Sequence, residues 1–296
     1  MSLASVNSSS KITTTTLLEK KQRREPITSL TAYDYPSARL VDEAGIDVIL
    51  VGDSLAMVML GYENTMPVTM EEMLHHVRAV RRGVKRGMLV ADMPYGSFQV
   101  SSEEGLRNAT RFVKEGGAEA VKLEGGEKRI ELIRRLLDAE IPVFGHIGLT
   151  PQSVYTMGGY KVQGKTLSAI EQLMRDAVAL DRAGVCAMYL EGIPREVAAM
   201  ITVEVKAPTI GIGAGPDCDG QVLVLHDILG LTFAPPAKFV RRYGDAAALI
   251  SNAVKAFKHD VEIGAYPADE ESYHLPKEAR GTIEAIVERK RTVGGR

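Results

Sequence analysis

Tryptophan is absent from the 296-residue chain, phenylalanine occurs only six times, and cysteine occurs twice, at Cys186 and Cys218. Two cysteines cannot build a disulfide framework or a cysteine-ligated zinc site, so both read as reduced thiols. With aromatics at 5%, a stacking surface for single-stranded nucleic acid has little material. A surplus of one charge is also missing. The 36 Lys and Arg against 38 Asp and Glu leave a net charge of -2, which gives no electrostatic reason to expect nucleic acid or an anionic membrane as partner. No run approaches the roughly 18 apolar residues of a membrane span. The polar N-terminus "MSLASVNSSSKITTTT" lacks the apolar core of a signal peptide. The expectation is a cytoplasmic globular protein.

What is present is a core-forming composition, 45% hydrophobic and 25% charged, arranged as a repeated unit. A short apolar strand, a polar turn and an amphipathic helix recur from Ile27 onward. Strands are expected at 27–33, 47–52, 88–92, 120–124, 142–147, 187–191, 209–213 and 221–226. Helical patterns lie between most of them. "TMEEMLHHVRAVRRGV" opens on Thr69 with Glu72 three residues on, the pattern of a capping box. "SSEEGLRNATRFVKEGG" offers Ser102 as a cap, and "LSAIEQLMRDAVALDRAGV" stops at Gly184. Eight strands alternating with helices predict an α/β fold, a (β/α)8 TIM barrel, with an open doubly wound sheet as the competitor. Residues 1–15 read as a disordered lead-in, 16–264 as the barrel and 265–296 as a Pro- and charge-rich tail that could carry one helix.

Functional residues of a parallel barrel gather at the C-terminal ends of its strands. Those ends carry Tyr33 and Asp34, Asp53 and Ser54, Asp92, Lys122 and Glu124, His146, Glu191, the glycines Gly211, Gly213 and Gly215, and His226 with Asp227. Any one such acid is more often a helix cap. Several at one mouth would repel unless a cation or a proton intervened. Hard carboxylate oxygens favour Mg2+ or Mn2+ over zinc, and neither HExxH nor a Cys cluster is present. Lys122 and Glu124 are two apart on a strand and so face the same way. Whether Lys122 forms a salt bridge or clamps an anion is open. Glu191 is either the carboxylate that takes a proton or a cap for the helix beginning near Pro194. "PTIGIGAGPDCDGQV" fits neither GxGxxG nor the P-loop, and reads as a tight turn.

The motifs "TAYDYPSARL", "VGDSLAM", "MPVTM", "ADMPYGSF", "VKLEGG", "GHIGLTPQSV", "GGYKVQG", "LEGIP", "IGIGAG" and "DGQVLVLHD" occur in this order. In that order they resemble the ketopantoate hydroxymethyltransferase family, over roughly residues 27–267. The resemblance implies a barrel of the phosphoenolpyruvate mutase/isocitrate lyase-like group. It also implies one Mg2+ per subunit, 5,10-methylenetetrahydrofolate as co-substrate, and the first committed step of pantothenate and coenzyme A biosynthesis. In that step a hydroxymethyl group passes to 3-methyl-2-oxobutanoate through a Mg-stabilised enolate. Family members form large homo-oligomers, often decamers. Carried over by position, Asp53, Asp92 and Glu124 match the metal-associated carboxylates. Asp53, Ser54, Asp92, Lys122 and His146 match the keto-acid pocket, and Glu191 matches the proton acceptor. Ala56 stands where many relatives have glycine. Two alternatives stay open. One is another Mg2+ enzyme on this scaffold that acts on a C–C or P–C bond, although a lyase of that group would carry a reactive loop cysteine. The other is a non-catalytic barrel.

Overall fold

A computed structural model describes residues 10–293. Its contacts divide into two compact units, Met1–Gly244 and Asp245–Arg296. The first is a closed barrel of eight parallel strands in sequential order: β1 Ile27–Thr31, β2 Val48–Val51, β3 Met88–Asp92, β4 Ala120–Glu124, β5 Val143–Gly148, β6 Ala187–Glu191, β7 Thr209–Ile212 and β8 Gly220–Leu223. Helix α1 (Thr14–Arg23) precedes the barrel, and α2 (Tyr35–Glu43) follows β1. Next come α3 (Leu55–Val58) and α4 (Met70–Gly83) after β2, α5 (Ser102–Lys114) after β3, and α6 (Ile130–Asp138) after β4. The remaining connections are α7 (Val154–Met157) and α8 (Leu167–Ala183) after β5, α9 (Arg195–Glu204) after β6, and the short α10 (Leu225–Ile228) after β8. No helix joins β7 to β8, as the eight-residue spacing of glycines and prolines there suggested. The second unit holds α11 (Ala246–Glu262) and α12 (Lys277–Val293).

Alternation along the strands decides what fills the barrel. Val48 and Leu50, Met88 and Val90, Ala120, Phe144, Ala187 and Tyr189, Ile210 and Val222 form one buried cluster, the barrel interior. Their neighbours Ile49 and Val51, Leu89 and Ala91, Val121 and Leu123, Val143, Met188 and Leu190 join the layer under the helices. Asp92, Lys122, Glu124, His146 and Glu191 continue the inward phase. The apolar layers therefore end in a polar one at the C-terminal mouth.

At the opposite end Ile12 and Leu17 belong to the interior cluster. Helix α1 closes that end, held by Lys20 Nζ on Asp47 at 2.5 Å and Lys21 Nζ on Asp219 at 2.9 Å. The Ile12 amide also donates to Arg86 O at 2.8 Å. The ordered chain thus starts before residue 16; residues 1–9 of the expected lead-in lie outside the described residues. The polar run around Ile12 hid one anchoring side chain, because its partners are far along the chain.

Several local expectations hold in detail. Thr69 and Glu72 form the capping box of α4, and Gly184 ends α8 in the left-handed region. Helix α5 is capped by Ser101, one residue before the expected Ser102. Strand β1 is two residues shorter than expected at its end, and β8 stops at Leu223, so His226 lies on α10. The compact barrel unit ends at Gly244 rather than 264. Among the described residues no helix is long and apolar enough to cross a membrane.

Candidate active site at the barrel mouth

Asp92, Lys122, Glu124 and His146 reach the mouth because strand alternation points them inward. Asp53 arrives differently. It lies beyond β2 in the phase of the outward residues, and the turn at Gly52 brings it in. Neither Asp53 nor Glu191 caps a helix. The N-cap of α3 is Ser54 without a side-chain bond, and that of α9 is Pro194. Asp34, by contrast, is a true cap whose carboxylate accepts from the Ser37 amide.

The cluster is dense and dry. Asp53, Asp92, Lys122, Glu124 and His146 are all buried, Asp92 to within 1% of full exclusion from solvent. Lys122 Nζ donates to Asp92 Oδ2 at 2.6 Å, and the Asp53 amide donates to the same oxygen at 3.2 Å. Lys122 is therefore a salt-bridge partner in this state. Burial pushes the Asp92 carboxyl up to about 7 against the pull of Lys122, with the Asp53 charge adding to the rise. Burial by itself would lower the Lys122 ammonium, but the negative charges of Asp92, Asp53 and Glu124 hold it above its ordinary value. Glu124 lies well above the usual carboxylate range, again chiefly through burial. All three shifts share one origin: the site holds more negative charge than its burial tolerates.

His146 sits between two acids. Its Nδ1 lies 3.6 Å from Glu124 Oε1 and its Nε2 3.3 Å from Glu191 Oε2. Neither ring nitrogen makes a hydrogen bond of normal geometry, and Asp92 Oδ1 and Glu124 Oε1 are likewise buried without a partner. Burial first, and Lys122 second, depress the imidazole, which keeps it neutral at neutral pH. Glu191 is the open member of the set, with 18% of its side chain exposed. Ser54 Oγ bonds the Tyr33 hydroxyl at 2.8 Å.

Gln152 was not singled out from the sequence. Gln152 ties the cluster together. Its side-chain nitrogen donates to Asp53 Oδ2 at 3.0 Å and Met93 O at 2.9 Å, and its backbone amide donates to Glu124 Oε2 at 3.0 Å. The signal available was its place in "GHIGLTPQSV", directly after a strand end. Tyr33 was read as a strand-end residue, but nothing local announced its bond to Ser54. The two thiols stay outside the site: burial pushes Cys186 up to about 12 and Cys218 up to about 11. Neither is set up as a nucleophile.

A closed barrel of eight parallel strands, with buried carboxylates and one lysine at its C-terminal mouth, defines the chain as a (β/α)8-barrel protein. Two solved structures share the fold. A 2,3-dimethylmalate lyase, itself a PEP mutase/isocitrate lyase superfamily member, aligns with a TM-score of 0.57 at 19% identity, over 88% of this chain and 89% of its own. A phosphonopyruvate hydrolase, solved with oxalate and Mg2+, aligns at 0.55 and 16% identity, over 96% and 98%. Closer kinship comes from sequence. The family described as Ketopantoate hydroxymethyltransferase matches residues 11–269. A 3-methyl-2-oxobutanoate hydroxymethyltransferase of Koribacter versatilis is 73% identical over 98% of both chains. This chain belongs to the ketopantoate hydroxymethyltransferase family, and with it to the hydroxymethyl-transferring enzymes of pantothenate biosynthesis, which act on small molecules.

Proposed function

We propose that the protein transfers a hydroxymethyl group from 5,10-methylenetetrahydrofolate to 3-methyl-2-oxobutanoate, with Mg2+ at the barrel mouth, to give ketopantoate. The observation that carries this reading is the excess of buried negative charge. Three carboxylates face one ammonium, and Asp92 Oδ1 and Glu124 Oε1 have no partner. That donor set suits a hard divalent cation. Among the described residues no three His, Cys, Asp or Glu side chains converge at ligand distance. A fit therefore requires one or two of Asp53, Asp92 and Glu124 as direct ligands and water for the rest, which is the habit of Mg2+. Bound there, the ion supplies positive charge next to the keto oxygen and so acidifies the neighbouring C–H.

The chain's own groups do the rest. Lys122 and Ser54 hold the substrate carboxylate, the lysine by charge and the serine by a hydrogen bond steadied by Tyr33. Glu191, the accessible carboxylate, takes the proton from the tertiary carbon. Neutral His146 stands beside it at 3.3 Å and keeps positive charge away from the base. The deprotonated carbon forms its bond to the methylene carbon, both C–N bonds to the carrier break, and a water supplies the hydroxyl oxygen; the two freed nitrogens take up the proton held by Glu191 and the second proton of that water. The cytoplasmic location, a decameric homo-oligomer and one Mg2+ per subunit belong to the same proposal and rest on family membership.

Exchange of the substrate C–H for deuterium tests the base without needing the carrier. Glu191→Gln should slow exchange by about 10²-fold or more. Exchange at the wild-type rate would remove Glu191 from this role. Formation of ketopantoate from the two substrates, abolished by EDTA and restored by Mg2+, tests the overall reaction.

A further inference from the structure

The segment between Gln152 and α8 leaves the site and comes back to it. It starts at Gln152, whose side chain is buried among the site's carboxylates. It then forms the single turn α7, reverses through Gly158 and Gly159 at φ +65° and +111°, and returns where the Gln163 amide donates to Gly192 O at 2.9 Å. Gly192 directly follows Glu191. Residues 153–165 therefore arch over the rim on the side of the proposed base.

Their chemistry differs from that of the pocket below. From Thr150 to Thr166 there is no Asp or Glu, but there are two lysines and two tyrosines. Tyr155 is 74% exposed and Tyr160 50%, an uncommon use of large rings unless something covers them. Burial raises the Tyr160 hydroxyl, and the negative charges of Asp53, Glu191 and Glu124 add to that rise. The ring thus stands within the field of all three acids. The Lys161 ammonium rests close over Gly158, 3.4 Å from the position a side-chain carbon would take there, and it makes no ion pair among the described residues. The keto acid is small and aliphatic and is already accounted for by Lys122, Ser54 and the buried acids. It has no use for exposed rings or a second cation at the rim.

We propose that residues 153–165 are the docking platform for the folate carrier: Tyr160, with Tyr155, stacks on the flat pyrimidine half of its ring system, and Lys161 neutralises its carboxylate tail. This rests on the reading that folate is the one-carbon donor, and it adds where and by which side chains the carrier is held. A bicyclic ring with a flat, conjugated pyrimidine half, carrying an anionic tail, matches a platform of phenol rings and unpaired lysine. The return point at Gly192 sets the reactive end of the carrier beside Glu191.

The test is steady-state kinetics with each substrate varied in turn. For Tyr160→Leu, KM for methylenetetrahydrofolate should rise about tenfold, the scale of losing one stacking ring, while KM for the keto acid moves less than twofold. Tyr160→Phe keeps the ring and should restore the wild-type value. A second measurement uses equilibrium binding of tetrahydrofolate and of tetrahydropteroate, which lacks the glutamate tail. Wild type should favour the tailed compound, and Lys161→Ala should erase the preference. If wild type makes ketopantoate from the folate donor but Tyr160→Leu leaves the carrier KM unchanged, the platform is wrong. The same holds if Lys161→Ala keeps the preference for the tail. If wild type makes no ketopantoate from this donor, the donor assignment fails instead.

Discussion

Gln152 can be converted from the residue that quiets the charge cluster into one that aggravates it. Gln152→Glu keeps shape and length but replaces the amide that donates to Asp53 Oδ2 at 3.0 Å and Met93 O at 2.9 Å with a carboxyl. Two full negative charges 3.0 Å apart repel by about 5–6 kcal/mol at an effective dielectric of about 20. That is more than the cost of taking up a proton at mildly acid pH, so the new carboxyl holds its proton to well above the ordinary Glu range. Raising its pKa from about 4.3 in the unfolded chain to about 6.5 in the folded one costs about 3 kcal/mol once the unfolded chain is ionised. The sign follows directly. A carboxyl whose pKa rises on folding binds a proton on folding, so stability falls as pH climbs from about 4.3 and levels off above the folded pKa. For a unit of this size about 3 kcal/mol corresponds to a Tm about 6–12 °C below wild type. The assay is thermal unfolding of variant and wild type in EDTA at pH 5 and pH 8. The deficit should be several degrees larger at pH 8. Gln152→Met, which cannot ionise, should show the same deficit at both. A Gln152→Glu deficit equal at the two pH values would falsify the account of a site overloaded with negative charge.

Two further predictions concern the frame. The buried Asp47 carboxylate accepts from Lys20 Nζ at 2.5 Å and from the Thr28 amide and hydroxyl at 3.0 Å each. Burial pushes its pKa up, but these donors outweigh that and leave it below the ordinary value. Asp47→Asn should therefore cost about 3 kcal/mol at pH 7. In urea unfolding the gap to wild type should narrow as pH falls below about 3.9 and the native carboxylate protonates. Gly148 has φ +96°, and a side-chain carbon there would meet Glu191 O at 2.2 Å. Gly148→Ala should displace the end of β6 and lower the turnover rate more than tenfold, about 1.4 kcal/mol in barrier. Gly61→Ala, at φ +75° with nothing within 4 Å, should cost only local strain of about 1 kcal/mol and leave turnover intact.

Much of the barrel was legible because its signal is local. Strand alternation and helix caps depend on residues within one turn or one strand of each other. Hence all eight strands were located, and the capping box at Thr69 and the stop at Gly184 are where the pattern put them. The ends of β1 and β8 were overextended because an apolar run continues past Thr31 and Leu223, where the strands end. The lead-in was drawn through residue 15, and α1 was not expected, because the anchor Ile12 shows its purpose only against the interior cluster on the far side of the chain.

The candidate site divides along the same line. Sequence alone determined that Lys122 and Glu124 face the same way, since a period of two leaves a strand residue only two directions, and that Asp92, His146 and Glu191 stand at strand ends. It also determined, through the order of its motifs, the family to which the chain belongs. Only the tertiary structure decided that Lys122 pairs with Asp92, that Asp53 enters by a turn against its phase, and that Gln152 binds two of the acids at once. It alone decided that two carboxylate oxygens are left without partners, and that two tyrosines and a lysine arch over the rim. The reason is physical. Hydrogen bonds, burial and the charges that shift a carboxyl's pKa are set by neighbours in space, and here those neighbours come from strands and loops up to 99 residues apart.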